Sequence, residues 1–232
     1  MKFLFYKSNF RQFFLVTSIF LLSFNEALFS SEINKKNSLY LEMQKGENSA
    51  PVVMIEYASL TCSHCAEFYK SVFPKLKKNY IDKGLLRLVH REIYFDRAGL
   101  WAALIARCSN NNDKYFGILK ILYEDQAKWS RSSDNDTIVE ELLKISAKSG
   151  MSRESAISCL EDEKKALDLV KEFKSYVKED EIESTPTFII NGSKYSNRSF
   201  EDIKEIIDQI LGKNSEIEKP DELIAPKLNL EN

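Results

Sequence analysis

The sequence predicts an α/β layer fold that carries an inserted all-helical subdomain. Two short apolar runs, at 52–55 and 85–95, have the length and composition of buried strands. A helical pattern separates them, and β-type sequence returns only at residue 187. Strands that alternate with helices are typical of α/β folds. The helical block between the second and third β segments is too long for a loop, so we expect an inserted subdomain at 98–182.

The first half of the α/β fold is expected at residues 51–97. A polar leader segment at 28–50 precedes it, and its apolar island at 39–41 can form a short edge strand. After the first buried strand, Thr61 is placed to cap a helix whose apolar residues recur every four positions. Pro74 interrupts that pattern, so we expect a kink there.

The second half of the α/β fold is expected at residues 183–212. A capped helix at 152–170 precedes it within the insertion. Asn-Gly at 191–192 predicts a β-hairpin because both residues tolerate positive φ. The capping box at 199–202 then introduces an amphipathic helix. Residues 213–232 are charged and are expected to form a tail.

Composition and charge exclude several classes of function. Thirty-three Lys and Arg against 35 Asp and Glu give a net charge of −2, which does not indicate a nucleic-acid partner. The seven glycines include no two closer than fifteen residues, so a glycine-rich phosphate loop is excluded. Only two histidines are present, His64 and His90, which excludes metal sites built from many histidines.

The N-terminus has the features of a signal peptide at residues 1–27. Lys2, Lys7 and Arg11 precede an apolar stretch at 13–24, which is too short to span a bilayer. An uncleaved membrane anchor is the alternative. We therefore expect an exported protein of the bacterial periplasm, a compartment in which paired cysteines form disulfides.

The motif Cys62-Ser63-His64-Cys65 lies where the first strand meets the following helix. Free N–H groups and the partial positive charge at a helix start stabilise an anion. Cys62 is therefore expected to ionise more readily than a free cysteine, and His64 can stabilise its thiolate further. A Cys62–Cys65 disulfide then becomes an oxidant, because its reduced form is favoured.

Disulfide transfer is the chemistry that this motif predicts. A client thiolate attacks Cys62, and a second client thiol releases the client as a disulfide; Cys65 resolves the mixed disulfide in the reverse direction. Glu56, in the first buried strand, could accept or relay a proton from Cys65. An acid that faces water at the edge of the sheet is the alternative for Glu56.

Metal binding is an alternative interpretation of the C-x-x-C motif. As half of a structural zinc site, the motif would need two ligands from Cys108, Cys159 and His90, which lie in other elements without paired spacing. Copper delivery to exported proteins is a further alternative, although the sequence has no methionine cluster. We expect no metal site.

The motifs resemble the DsbA-like branch of the thioredoxin superfamily, whose members carry a C-x-H-C active site opposite a cis-proline loop. The resemblance covers VVMIEYASLTCSHC, LLRLVHREIYF, the helical insertion and ESTPTFIINGSKY. It implies a thioredoxin fold with an inserted helical subdomain and a buried acid at Glu56. It also implies a cis Thr185–Pro186 bond, whose backbone pairs with the client chain. Ser63 stands where proline is commoner, at a position that tunes the redox potential in this family.

The resemblance implies an exported thiol–disulfide oxidoreductase that needs no cofactor. Its clients would be newly exported cysteine-containing proteins, and a quinone-linked membrane oxidase of the DsbB type would reoxidise it. A reductase or isomerase, and a non-catalytic chaperone or metal carrier on the same fold, are the alternatives. Isomerases of the superfamily usually dimerise through an N-terminal domain, and the leader segment at 28–50 is too short to be one, which counts against the isomerase alternative. We expect a monomer.

The remaining cysteines, Cys108 and Cys159, lie on apolar faces of the helical block. Some DsbA-like proteins from alphaproteobacteria are similar in carrying a second disulfide in the helical domain, which implies a structural Cys108–Cys159 bond here. Two free buried cysteines that pack as small apolar residues are the alternative.

Overall fold

A five-stranded mixed sheet forms the centre of the fold, in the strand order β1-β3-β2-β4-β5. The computed structural model describes residues 40–217, with side chains as far as 212, so the predicted signal peptide at 1–27 lies outside the described residues. Strands β2 and β3 run parallel, and the other neighbouring strands pair antiparallel. The strands are β1 (Met43–Lys45), β2 (Val52–Ala58), β3 (Leu86–Glu92), β4 (Thr187–Ile190) and β5 (Ser193–Ser196).

Helices cover the sheet and build the insertion. They are α1 (Ser63–Glu67), α2 (Phe73–Asn79), α3 (Arg97–Ala106), α4 (Asn112–Glu124), α5 (Gln126–Trp129), α6 (Asn135–Lys148), α7 (Arg153–Leu160), α8 (Glu163–Glu179) and α9 (Phe200–Ile217). Helices α3 to α8 follow one another between β3 and β4. No helix in residues 40–217 combines the length and the apolar composition needed to cross a bilayer.

The sheet buries apolar side chains on both faces. Met54 of β2 and Leu88 of β3 belong to a core that continues into the insertion. Their neighbours Ile55 and Val89 point the other way and pack against Phe173 of α8. This alternation follows from the two-residue repeat of a strand. Helix α8 thereby carries the chain from the insertion back across the second face of the sheet.

The helix after the active-site motif is interrupted just before the predicted kink. Pro74 has no backbone N–H, and the N–H of Phe73 bonds to the carbonyl of Phe68, which gives a π-helical turn at Phe68–Val72. Helix α2 then begins at Phe73 with Pro74 in its first turn, where a missing N–H costs little. The interruption separates α1, which carries the cysteines, from α2.

Several element boundaries differ from the sequence predictions. The second buried strand is Leu86–Glu92 rather than 85–95. The edge strand lies at Met43–Lys45 rather than at 39–41, and residue 39 is outside the described residues. The predicted helix at 152–170 is two helices, because the Asp162 side chain accepts from the backbone of Lys165 and starts α8 anew. Helix α9 continues to Ile217, into the predicted tail.

Two turn predictions are confirmed. Asn191 and Gly192 have φ values of 43° and 85° and connect β4 to β5. Ser199 and Asp202 exchange side chain to backbone hydrogen bonds of 3.1 and 3.2 Å at the start of α9. Both features depend on neighbouring residues alone, and for that reason the sequence was sufficient to place them.

Candidate active site

The two motif cysteines lie beyond the carboxyl end of β2, the central strand of the sheet. Cys62 is the N-cap of α1, with extended φ and ψ of −81° and 123°. It is half-buried, whereas Cys65 is fully buried, and neither forms a disulfide in this structure. Because Cys62 is the N-cap of α1, its side chain lies beside the backbone N–H groups that have no partner within the helix.

The environment of Cys62 favours its thiolate. Hydrogen bonds from the Cys65 thiol and the Thr185 side chain, and from the backbone N–H groups of Cys65 and His64, lower the pKa of Cys62 from 9.0 to about 5, although partial burial opposes the change. The Cys62 Sγ also lies 3.5 Å from the carbonyl oxygen of Thr185. Cys62 is therefore ionised at neutral pH, as reactive cysteines at helix N-termini are.

The environment of Cys65 has the opposite effect. Burial raises the pKa of Cys65 far above its ordinary value, and the hydrogen bond to Cys62 and the charges of Cys62 and Glu56 raise it further. Two thiols three residues apart thus differ in their protonation at neutral pH. The half-buried sulfur of Cys62 can leave as a stable anion, while the fully buried sulfur of Cys65 holds a proton.

Glu56 is a buried carboxyl group on β2, and no charged group in residues 40–212 forms an ion pair with it. Its side chain is fully buried, and neither carboxyl oxygen has a hydrogen-bond partner among the described residues. Burial raises the pKa of Glu56 to about 8. Its charge also raises the pKa values of Cys65, Tyr69 and Tyr123, so all three lie around it. The alternative of an acid that faces water is wrong.

The loop before β4, which contains Thr185 and Pro186, lies next to Cys62 and faces the start of α1. The Thr185–Pro186 peptide bond is cis, and the Thr185 carbonyl faces Cys62 Sγ. Strand β4 follows at once and pairs antiparallel to β2. The sheet therefore fixes the distance between this loop and the strand that leads to Cys62.

Ser63 and His64, between the cysteines, are exposed on α1. His64 lines a groove of about 360 Å³ together with Lys75 of α2 and Arg198, which precedes α9. Of His64, only the backbone N–H is among the groups that lower the pKa of Cys62. The expected stabilisation of the Cys62 thiolate at His64 therefore comes from the main chain in this structure.

Comparison with known proteins places this geometry in a family. The sequence model described as thioredoxin matches residues 40–209. The chain belongs to the thioredoxin family. Together with the sheet and helices above, this confirms the predicted thioredoxin fold with a helical insertion.

Similar thioredoxin-family proteins carry names related to disulfide chemistry. A Rickettsia conorii protein named as a protein-disulfide oxidoreductase is 32% identical over 175 residues, which are 75% of this chain and 62% of the relative. The chain thus spans less than two thirds of the length of that relative. Disulfide bond formation protein D of Bacillus subtilis is 26% identical over 72% of this chain and 75% of its own.

Among solved structures, the chain resembles alpha-DsbA1 of Wolbachia pipientis. The two superpose with a TM-score of 0.73 at 29% identity, over 82% of this chain and 100% of the Wolbachia chain. The resemblance to the DsbA-like branch that the sequence motifs indicated is therefore confirmed.

Thr61 directly precedes the C-x-x-C motif. The sequence predicted that it caps α1, and this prediction is wrong. Its hydroxyl donates to Asp96 at 2.7 Å, and the N-cap of α1 is Cys62. Asp96 also accepts from the backbone N–H of Gly99 at 2.7 Å and so caps α3. The contact joins the active-site loop to the first helix of the insertion.

A second contact from the insertion was not foreseen from the sequence. The side-chain amide of Gln126, at the start of α5, donates to the carbonyl oxygens of Leu60 and Cys62 at 2.7 and 2.9 Å. Gln126 is 64 residues or more from both acceptors along the chain. No local motif marks such a residue, because the contact exists only once the insertion has packed on the sheet.

The other candidate ligands of the alternative zinc site do not join Cys62 and Cys65. Cys108 and Cys159 form a disulfide between the end of α3 and α7, with a Cα–Cα distance of 5.7 Å. His90 is buried, and its Nδ1 lies 2.7 Å from the hydroxyl of Tyr115. Within the described residues, no three His, Cys, Asp or Glu side chains are grouped as they would be around a metal ion.

A buried ion pair joins the insertion to the sheet beside His90. Arg107 donates two hydrogen bonds, of 2.7 and 2.6 Å, to Glu92, and Tyr115 donates to the same carboxylate. Burial is the largest single effect on Glu92 and raises its pKa, but the charge and hydrogen bonds of Arg107, with smaller effects from His90 and Tyr115, together outweigh burial and lower the pKa. Burial and the Arg107 charge also lower the pKa of His90 to about 4. His90 is therefore a neutral part of a structural network.

Proposed function

We propose that the chain is a thiol–disulfide oxidoreductase that donates a disulfide to cysteine-containing proteins outside the cytoplasm. The opposite pKa changes of Cys62 and Cys65, at a helix start that faces a cis-proline loop, carry the proposal. A pair with one stable thiolate is more easily reduced, because its reduced form is stabilised. The names of the relatives agree with this reaction class.

The reaction starts from the oxidised protein. A client thiolate attacks Cys62 Sγ, the Cys62–Cys65 bond breaks, and the electron pair leaves on Cys65 Sγ. A second client thiolate then attacks the client sulfur of the mixed disulfide and expels Cys62 as a thiolate. The client loses two electrons, and the protein gains them as one thiolate and one thiol.

Glu56 is proposed to manage the proton of this reaction. With its pKa raised to about 8, the carboxyl group is mostly protonated at neutral pH and can supply the proton that the Cys65 thiolate takes up. In the reverse direction it accepts that proton. The absence of a hydrogen-bond partner for either carboxyl oxygen among the described residues leaves the group free to exchange it.

The client chain is proposed to lie along the cis-proline loop. An extended client would pair with backbone groups at Thr185 and Pro186, which holds its cysteine against the half-buried Cys62. Ser63 and His64 are exposed beside it and would contact the same client. The Cys108–Cys159 disulfide has a structural role in this proposal, since it connects two helices of the insertion.

The location and partners follow from the predicted export signal and from the DsbA-like resemblance. We place the protein in the periplasm, as a monomer that uses no cofactor or metal, with newly exported proteins as clients. A quinone-linked membrane oxidase of the DsbB type would return Cys62 and Cys65 to the disulfide. An uncleaved signal would hold the same domain at the membrane surface.

Trapping of mixed disulfides tests this proposal. In Cys65→Ser the resolving thiol is gone, so an oxidised client peptide is expected to remain bound to Cys62, whereas the matched Cys62→Ser variant is expected to trap far less. The wild-type protein is expected to oxidise a reduced, unfolded client in stoichiometric amount. Equal trapping by both variants would contradict the role of Cys62 as the attacking thiol. Binding of one zinc or copper ion that Cys62→Ser abolishes would favour the metal-carrier alternative.

A further inference from the structure

Gln126 is a residue of the insertion that is bonded directly to the active-site backbone. It is the first residue of α5 and is only 8% exposed. Its Nε2 atom donates to the carbonyls of Leu60 and Cys62, at 2.7 and 2.9 Å. These carbonyls lie on either side of Thr61, so one side chain holds the loop that delivers Cys62 to α1.

The acceptors fix the orientation of the Gln126 amide. Only the nitrogen end of an amide donates hydrogen bonds, and both partners are carbonyl oxygens, which only accept. Rotating the amide by 180° would place the Gln126 side-chain oxygen against the carbonyl oxygens of Leu60 and Cys62, and no hydrogen bond could form. Loss of the side chain would leave the Leu60 carbonyl without this buried donor, and an unpaired buried carbonyl is unfavourable.

Helix α5 presents Gln126 from a fixed support. Trp129, at the end of α5, is fully buried, and its indole N–H donates to the carbonyl of Leu122 at 2.9 Å. Asp125, directly before Gln126, forms ion pairs with Lys128 and Lys148. The amide therefore reaches the active-site loop from a helix that other contacts already hold in place.

The Cys62 carbonyl connects this contact to the helix start. It accepts from Gln126 and also from the backbone N–H of Ala66 at 3.1 Å, in the first turn of α1. The N–H groups of His64 and Cys65 that stabilise the Cys62 sulfur belong to the same turn. A change in the position of the Cys62 backbone therefore changes the distances from its sulfur to these donors.

We propose that Gln126 is a positioning residue, through which the helical insertion fixes the Cys62 backbone and sets the reactivity of the Cys62 thiol. It acts on the proposed reaction without contacting the sulfur. This inference deepens the proposed function and rests on it for its biological meaning. Its physical content, a change in the properties of Cys62, is measurable whether or not the protein oxidises clients.

Gln126→Met in the full chain tests the proposal, since methionine has a similar length and no donor. The pKa of Cys62, followed by thiolate absorbance, is expected to rise by about one unit. The equilibrium with glutathione is expected to shift about tenfold toward the protein disulfide, which corresponds to a potential about 30 mV more reducing. Gln126→Asn is the second variant, for use if Gln126→Met does not fold. Its amide is one methylene too short to reach the loop, so the same shift in the Cys62 pKa is expected.

Ser146→Ala is the matched control. It removes a buried hydrogen bond within helix α6 of the insertion, from the Ser146 hydroxyl to the carbonyl of Leu143 at 2.7 Å, that reaches neither α5 nor the active-site loop. It is expected to leave the Cys62 pKa unchanged. Equal pKa changes in Gln126→Met and Ser146→Ala, or no change in Gln126→Met and Gln126→Asn, overturn the proposal. The proposed function fails separately, if the Cys62–Cys65 pair of the wild-type protein has a reducing potential. That outcome leaves the Gln126 test intact, because the test compares the Cys62 pKa of a variant with that of the wild type.

Discussion

Replacing Glu56 by leucine is expected to make the protein more stable and its thiol exchange slower. Glu56 is fully buried on β2, and neither carboxyl oxygen has a partner among the described residues. Leucine has a similar size and no group that needs solvation, so the substitution removes a buried polar group without opening a cavity. It also removes the proposed proton donor to Cys65.

The magnitude follows from the raised pKa of Glu56. The carboxyl group has a pKa of 4.5 in the unfolded chain and about 8 in the folded protein, so between these values the unfolded state releases a proton that the folded state retains. The contribution of Glu56 to the free energy of unfolding therefore falls as the pH rises from 4.5 to 8. At pH 7 the loss is about 3 kcal/mol, from ~1.4 kcal/mol for each pKa unit. Glu56→Leu is expected to recover this free energy, which raises the Tm by about 6–12 °C in a domain of this size.

Denaturant unfolding of the oxidised protein between pH 4.5 and pH 8 is the assay, because disulfide-bonded cysteines do not titrate. The free energy of unfolding of Glu56→Leu minus that of the wild type is expected to grow by about 3 kcal/mol between pH 4.5 and pH 7. The difference between the two proteins is compared because the lowered pKa of His90 makes both of them more stable as the pH rises from 4 to 6.5. Glu47→Leu, at an exposed carboxyl group, serves as the control and should follow the wild type. A difference between Glu56→Leu and the wild type that does not change with pH would refute the argument that burial of this carboxyl group raises its pKa.

Four further predictions concern the Cys108–Cys159 disulfide, the buried ion pair and the Cys62 thiol. Cys108→Ser with Cys159→Ser is expected to lower the free energy of unfolding by about 4 kcal/mol, measured with denaturant, because the crosslink spans 51 positions of the chain; a loss near zero would contradict it. Arg107→Met leaves the Glu92 carboxylate buried without its counter-charge and should lower the free energy of unfolding by about 3–5 kcal/mol. The double variant Arg107→Met with Glu92→Leu is expected to restore most of this loss. The rate of alkylation of Cys62 should reach half its maximum near pH 5, whereas a midpoint near pH 9 would show that the helix start does not stabilise the thiolate. Since its pKa is lowered on folding, Cys62 should also make the reduced protein less stable as the pH falls from 9 toward 5.

The sequence was informative wherever structure depends on neighbouring residues. Asn191-Gly192 gave the hairpin and the 199–202 box gave a helix start, because turns and caps are made by residues close in the chain. The C-x-x-C motif located the active-site cysteines for the same reason. Pro74 marked the interruption between α1 and α2, although the π-helical form of that turn followed from the Phe68–Phe73 bond alone.

Contacts between distant segments could not be read from the sequence. Thr61 has the usual character of a capping residue, yet its hydroxyl binds Asp96 of another segment. Gln126 reaches Cys62 only because the insertion folds onto the sheet. The expectations for Pro186 rested on family resemblance, since its own neighbours do not specify a cis bond.

The Cys108–Cys159 pair illustrates the same limit. Spacing alone could not distinguish a disulfide from two free buried thiols, and only the packing of α3 against α7 brings their Cα atoms to 5.7 Å. The zinc alternative was open for the same reason, because ligand sets are assembled by tertiary structure. In the fold, both cysteines are bonded to each other rather than directed at Cys62.

The reduction potential of the Cys62–Cys65 pair tests the central claim most directly. It would be measured on the wild-type protein by equilibration in glutathione buffers, with the Cys108–Cys159 disulfide intact. A stabilised Cys62 thiolate and a protonated Cys65 should give a strongly oxidising pair, with a potential near about −120 mV. A potential near about −270 mV would be that of a reductase and would contradict the proposed donation of disulfides to clients.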